Sequence, residues 1–286
     1  MERIKLVRDD GTEFVMDGKY LGDEDWGITS CSGFGSIQTE ITTEKFAIGD
    51  GEKITSEYVP KRPLDITAQV KHSDKYEEGR KNALRFFLPH RSYKVYATND
   101  GVTRWIDARL QKSDCPSPKN GATVKLTLAL ISEEDPYWKD MDSYGRDIAA
   151  KAGGMVFPYR VPIGGVFNTG YYIYRDTVAL VNTGDVPTDI HVTIKAYGEV
   201  VNPKITIGGA FIRMIMTLRS GDTLDIDLEK DRILLNGVNC IGKTDSDSQI
   251  TNIVIGIGTT TIRFSADSGE ANMSVVVNFT PKYVGV

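Results

Sequence analysis

A chain of 286 residues, 40% hydrophobic and 26% charged, has the composition of a globular protein with room for two cores. Its formal net charge of −5 excludes the strong basic excess on which nucleic-acid and anionic-membrane binders rely. Cys31, Cys115 and Cys240 are far apart and form no Cys-x-x-Cys pair. They read as isolated thiols of a protein made in a reducing cytoplasm, not as a disulfide frame or a zinc site.

The N-terminal stretch "MERIKLVRDDGTEF" goes directly into strand-like alternation, without the apolar region of a signal peptide. No apolar run is long enough to span a bilayer, so no membrane partner is expected. Asp10-Gly11 suits a tight hairpin, because both residues tolerate positive φ. "GDGEK" (Gly49 to Lys53) lacks phosphate-loop spacing and reads as a turn. "LDITAQV" puts Leu64, Ile66, Ala68 and Val70 on one face at period two.

"SDKYEEGRKNALRFFLPH" predicts the one helix, with Asp74 and Glu77 in capping-box spacing and Pro89 as the stop. Tyr76, Arg80, Ala83, Leu84, Phe87 and Leu88 recur at helical spacing and predict a stripe packed on a sheet. "YKVYATNDGVTRWIDARL" is a second hairpin with Asn99-Asp100-Gly101 at its tip. "ATVKLTLALI" places Val124, Leu126, Leu128 and Leu130 on one face, then runs into "SEEDPYWKDM". Pro136 lacks the N–H that a continuing ladder needs. Tyr137 and Trp138 after it suggest a seam where the chain leaves one core.

Residues 142–170 are rich in Gly and Pro with weak periodicity, which predicts a linker and lead-in to a second domain. The expected division is a first β domain over 1–141, the linker over 142–170 and a second β domain over 171–286. In the second, Ile190, Val192, Ile194 and Ala196 alternate. "IRMIMTL", "TLDIDL", "RILLNG", "ITNIVIGIG", "TTIRFSAD" and "NMSVVVNF" follow between Gly, Asn and Asp turns. Short strands at this spacing predict a sandwich or barrel.

Charge is uneven along the chain. Residues 1–60 carry 6 Lys/Arg and 13 Asp/Glu, whereas residues 61–130 carry 14 and 7. Two readings stay open: solvated strand faces, or complementary surfaces through which identical subunits meet head to tail.

Candidates for chemistry are few. His72, His90 and His191 each stand alone in their segments, as surface or satisfied histidines do. Asp225 and Asp227 share one strand face. Paired carboxylates can bind calcium or form a glycosidase pair, but a solvated strand face is the plainer expectation. "TDSDS" (Thr244 to Ser248) lacks the Gly and Glu of an EF-hand loop and reads as a polar loop. Two β domains without an evident catalytic, metal or cofactor site point to a binding or structural role.

Taken in order, these stretches resemble the distal tail proteins of long-tailed, non-contractile phages and prophages of Gram-positive hosts. The local markers are "ISEEDPYW", the helix "YEEGRKNALRFFL" before "RSYKVYATNDG", "ALVNTGDVPTDIHVTIKAYGEVVNPKITI" and "SGDTLDIDLEKDRILLNGVN". The resemblance implies a mainly β chain. Its N-terminal domain would be a tail-tube-like β-barrel or sandwich with one α-helix. Its C-terminal domain would be a galectin-like or carbohydrate-module-like β-sandwich. Six copies would form a ring at the tail tip of the virion, joining the tail tube to a tail-associated fibre or lysin protein. Genome DNA would pass through the channel without specific binding. The work would be assembly, with no catalysis, cofactor or metal.

On this reading Pro136, Tyr137 and Trp138 anchor the domain junction. The alternative is that the two aromatics belong to the first domain's own core. The galectin-like label also raises host glycan binding. However, the His-x-Asn-Pro-Arg stretch of galactoside binders is absent, since His191 and Asn202-Pro203 are far apart and Lys204 follows the proline. The aromatics of "FNTGYYIYRD" either stack on a sugar or pack the sandwich.

Overall fold

The computed structural model describes residues 1–18, 22–35, 37–118, 123–147, 151–152, 171–172 and 177–286. The chain divides into two units: Met1–Met141 with Lys282–Val286, and Asp142–Pro281. The final residues 282–286, counted above with the second domain, thus belong to the first unit. The linker expected over 142–170 falls for the most part outside the described residues.

The first unit contains β1 (Arg3–Arg8), β2 (Glu13–Asp17), β3 (Trp26–Ser32), β4 (Glu40–Lys45), β5 (Glu52–Tyr58), β6 (Pro63–Val70), α1 (Tyr76–Phe86), β7 (Ser92–Asn99), β8 (Val102–Asp114), β9 (Lys125–Ser132) and β10 (Trp138–Asp140). The strands β8, β7, β1, β2, β3, β6 and β9 are successive neighbours, and β9 also pairs with β8, so they close into a barrel. The inward residues are those that period two predicts. Leu64, Ile66, Ala68 and Val70 face Val124, Leu126, Leu128 and Leu130 in one buried cluster. The β7–β8 turn holds Asp100 and Gly101 at φ of 48° and 77°, as a tight hairpin requires. β10 adds to the barrel at β8, and the returning strand Lys282–Tyr283 pairs with β10.

Two features of the helix differ from expectation. A 3₁₀ turn at Ser73–Lys75 precedes α1, closed by the Lys75 N–H on the His72 carbonyl. With that main-chain bond in place, α1 starts at Tyr76 behind Lys75 as its N-cap, without a side-chain cap, and the Asp74–Glu77 box does not form. The buried side is Gly79, Ala83 and Phe86, with Phe87 just beyond the helix end, while Leu84 is exposed. Phe14, Phe86, Phe87 and Tyr93 form an aromatic cluster with centroids 4.9–6.0 Å apart. Such pairs each contribute about 1 kcal/mol beyond burial.

β4 and β5 were missed in the sequence. Among the described residues they pair with each other alone, as a ribbon with every residue exposed. Gly49 to Lys53 includes the end of its tip.

The second unit is a sandwich. One sheet has six strands, in the order Tyr144–Asp147, Met273–Phe279, His191–Ala196, Thr223–Asp227, Arg232–Leu235 and Val238–Asn239. The other has four, in the order Thr177–Asn182, Gly258–Ser265, Lys204–Ile207 and Ala210–Arg213. Val192, Ile194, Ile226, Val275 and Val277 of the first sheet share one core with Leu180, Ile205, Ile212, Ile262 and Phe264 of the second. Alternation puts those side chains inward and leaves the opposite faces polar.

Candidate assembly site

Three segments of the first unit meet on the buried cation of Arg62. Arg62 lies between Lys61 and Pro63, and a residue before proline is biased to extended backbone, which starts β6. Its N–H donates to Ser132 Oγ at 2.9 Å, and the Ser132 N–H returns a bond to the Arg62 carbonyl at 2.9 Å. The guanidinium, 2% exposed with its residue, then donates to three carbonyls. Nε reaches Pro136 at 2.6 Å, Nη1 reaches Gly33 at 2.7 Å and Nη2 reaches Val284 at 2.6 Å. Those carbonyls come from the loop after β3, the β9–β10 connection and the C-terminal tail. Burial pulls the guanidinium below its ordinary value, and Tyr137 and Asp135 oppose that shift.

Asp135, Pro136, Tyr137 and Trp138 are all part of this arrangement. Asp135 accepts the Tyr137 N–H at 3.0 Å and pairs with Lys282 Nζ at 2.7 Å. Pro136, in the connection four residues after β9 ends, supplies its carbonyl to Arg62. Tyr137 is half-buried. Trp138 is fully buried in the first unit's core, its ring 5.3 Å from Phe34. In β10, Trp138 stands opposite Tyr283 and Lys139 opposite both Trp105 and Lys282. Arg104 lies 3.5 Å over the Tyr283 ring and donates to the Gly285 carbonyl, and the Val286 N–H reaches the Phe34 carbonyl at 3.1 Å. The strands by which the chain leaves and rejoins the first unit are therefore direct neighbours.

Gly33 is a tight point of this arrangement. Its φ is 84°, and a Cβ there would lie 2.0 Å from the Pro63 carbonyl oxygen. Gly33→Ala is expected to lower first-unit stability by about 3 kcal/mol or more, through strain and displacement of the carbonyl that Arg62 holds. A urea midpoint unchanged from the wild type would contradict the clash.

The other sequence candidates are dispersed. His191 Nε2 meets Asp225 Oδ1 at 2.5 Å, and Thr193 Oγ1 donates to the same oxygen at 3.2 Å. Asp227, expected on a solvated face, is buried and paired with Arg232 at 3.2 Å and Lys230 at 3.6 Å. The turn after its strand folds back and brings Lys230 over it, with the Lys230 N–H on its carboxylate. Each carboxylate thus serves a separate local pairing. Asn202 bonds Asp267 at 2.8 Å, away from the His191 pairing. Asp245 of the polar loop pairs with Arg213 at 3.5 Å. "FNTGYYIYRD" lies outside the described residues except for the strand Tyr171–Tyr172. Sequence reasoning missed Arg62, whose one signal is the Pro-Lys-Arg-Pro stretch, and the terminal residues it binds.

Residues 183–283 match the family described as siphovirus-type tail component, C-terminal domain. No curated protein sequence matches the chain. Among solved structures, the Dit protein (gp 19.1) of phage SPP1 aligns over 98% of both chains, with 14% identity and a TM-score of 0.68. It is described as a paradigm of the hub adsorption apparatus in phages that infect Gram-positive bacteria. A structure of the phage P2 baseplate, in its activated conformation with Ca, aligns over 100% of both chains with 11% identity and a TM-score of 0.50.

Proposed function

We propose that the chain, whose residues 183–283 match the siphovirus-type tail component family, is the distal tail, or baseplate hub, subunit of a phage or prophage with a long non-contractile tail. Six copies would close into a ring through the first unit. The ring would join the tail tube to the tail-associated fibre or lysin protein at the virion's tail tip, and the genome would pass through its channel. The subunit would be made in the host cytoplasm and would act by assembly, not catalysis. In this scheme Pro136, Tyr137 and Trp138, with Arg62, hold the point where the chain leaves the first unit.

The observation that carries the self-assembly is the β4–β5 ribbon. An isolated two-stranded hairpin is marginally stable in water. This one exposes Ile41, Phe46, Ile48, Ile54 and Tyr58, with Ile48 at 95%. A closed ring joins two different faces of each subunit, so an arm that finds no partner on its own barrel suits it.

Light scattering with negative-stain imaging tests the reading. The expected particle has six times the 31.6 kDa chain mass and a central hole. Raising salt should weaken it, because the charged stretches contribute and exposed charges are screened. A monomer at every concentration would overturn the self-closing ring.

A further inference from the structure

The outer surface of the first unit carries one row of side chains in register across four strands. Lys5 of β1 is opposite Tyr96 of β7, Tyr96 opposite Trp105 of β8, and Trp105 opposite Lys139 of β10. Lys5 Nζ lies 5.2 Å from the Tyr96 ring centre. Lys94 and Lys139 hold the Trp105 ring from 3.8 and 5.1 Å. Trp105 Nε1 donates to the Asp140 carbonyl at 2.8 Å, so the indole is fixed. All five side chains belong to half-buried residues. The nearby acids are Glu13, 3.0 Å from Lys5, and Asp107, 3.8 Å from Lys94. The outward face of a barrel strand ordinarily carries polar side chains. Here it carries two large rings fixed among three lysines, a rigid amphipathic platform of the kind enriched at protein interfaces.

The ribbon has the opposite character. Over residues 40–58 it holds five carboxylates and two lysines. Ile41 and Ile54 fall on one face by register, and Phe46 and Ile48 lie beyond it at the tip. Acid and apolar groups on the arm match lysine and aromatic groups on the platform.

We propose that the β4–β5 arm of one copy docks on the Lys5–Tyr96–Trp105–Lys139 row of a second copy. This rests on the reading above that copies associate, and it names the two faces that meet. The contact is heterologous, so each subunit gives an arm and receives one. Ile41, Ile54 and Ile48 would cover the rings, while Glu52 and Glu57, on the same face as Ile41 and Ile54 by register, would face the lysines. Electrostatic complementarity would set register and steer encounter, and aromatic burial would hold the contact.

Charge swapping tests it on the full chain. The arm variant is Glu52→Lys with Glu57→Lys, and the platform variant is Lys94→Glu with Lys139→Glu. Each alone is expected to weaken association by roughly 30-fold or more and to give monomers where the wild type assembles. Mixed in equal amounts, they present a native pair at one junction and a reversed pair at the next. The mixture should therefore regain the wild-type mass by light scattering. Ile48→Ser alters a side chain whose residue is 95% exposed and should leave the thermal melt unchanged while weakening association by roughly 10-fold. A wild-type-sized oligomer from both charge variants would overturn the docking site and leave the ring reading standing. Monomeric variants that fail to assemble when mixed would also overturn it, as would unaltered association of the Ile48→Ser chain. A wild type that never associates would remove both.

Discussion

Arg62→Met is expected to lower the stability of the first unit by about 4 kcal/mol. A single guanidinium satisfies the carbonyls of Gly33, Pro136 and Val284. Charged hydrogen bonds contribute about 1.5–3 kcal/mol each, and buried acceptors left without a donor add a desolvation cost. The three do not sum, because the chain relaxes and the buried charge disappears with its own burial penalty. Arg62→Lys should recover only part of the loss, since an ammonium cannot reproduce the planar fork that reaches three segments. Trp26, Trp105 and Trp138 all lie in the first unit and are the chain's only tryptophans. Urea unfolding followed by indole fluorescence therefore reports on that unit. A loss below about 1 kcal/mol for Arg62→Met would mean that the three segments are held by their other contacts, and Arg62 would cease to be the node.

Much of the fold was legible because period-two burial is local. Leu64 to Val70, Val124 to Leu130 and Ile190 to Ala196 alternate in the sequence as they do in the two cores. The glycine turns were legible for the same reason. What escaped notice depends on distant partners. Arg62 looks like one more basic residue until Pro136 and Val284 close around it. The return of Lys282–Val286 to the first unit could not be read locally, because β10 and the terminal strand are 143 residues apart at Asp140 and Tyr283. The β4–β5 ribbon was missed since its alternation of Thr, Ile and Glu buries nothing in the single chain. "TLDIDL" gave the strand correctly but suggested two solvated carboxylates, and the turn that covers Asp227 follows it. The Asp-Pro-Tyr-Trp stretch was read as architectural, with the domain junction and the first domain's own core as alternatives. Trp138 lies in the first unit's core, two residues after the carbonyl that Arg62 holds.

The same duality makes Trp138 the second strong test. Trp138→Ala is expected to cost about 3–5 kcal/mol, the range for emptying a large aromatic site in a packed core. Trp138→Phe should cost only about 1 kcal/mol. It loses part of the ring's volume but also removes an indole N–H that has no partner among the described residues. Circular dichroism during urea unfolding, with Trp26 and Trp105 as remaining fluorophores, gives both values. If Phe proved as costly as Ala, ring size against Phe34 would dominate and the orphan N–H would be irrelevant to stability. A second readout separates filling the core from holding the exit. Trp138 is part of a three-residue strand whose ladder partners among the described residues are β8 and the returning Lys282–Tyr283. A strand that short is kept in place mainly by its buried side chain. Removal of the indole should therefore open β10 locally before the barrel unfolds, and limited proteolysis should cut near Lys139 in Trp138→Ala under native conditions. Cleavage spread evenly over the first unit would mean that Trp138 only fills the core, and the anchoring role proposed for Pro136, Tyr137 and Trp138 would then be lost.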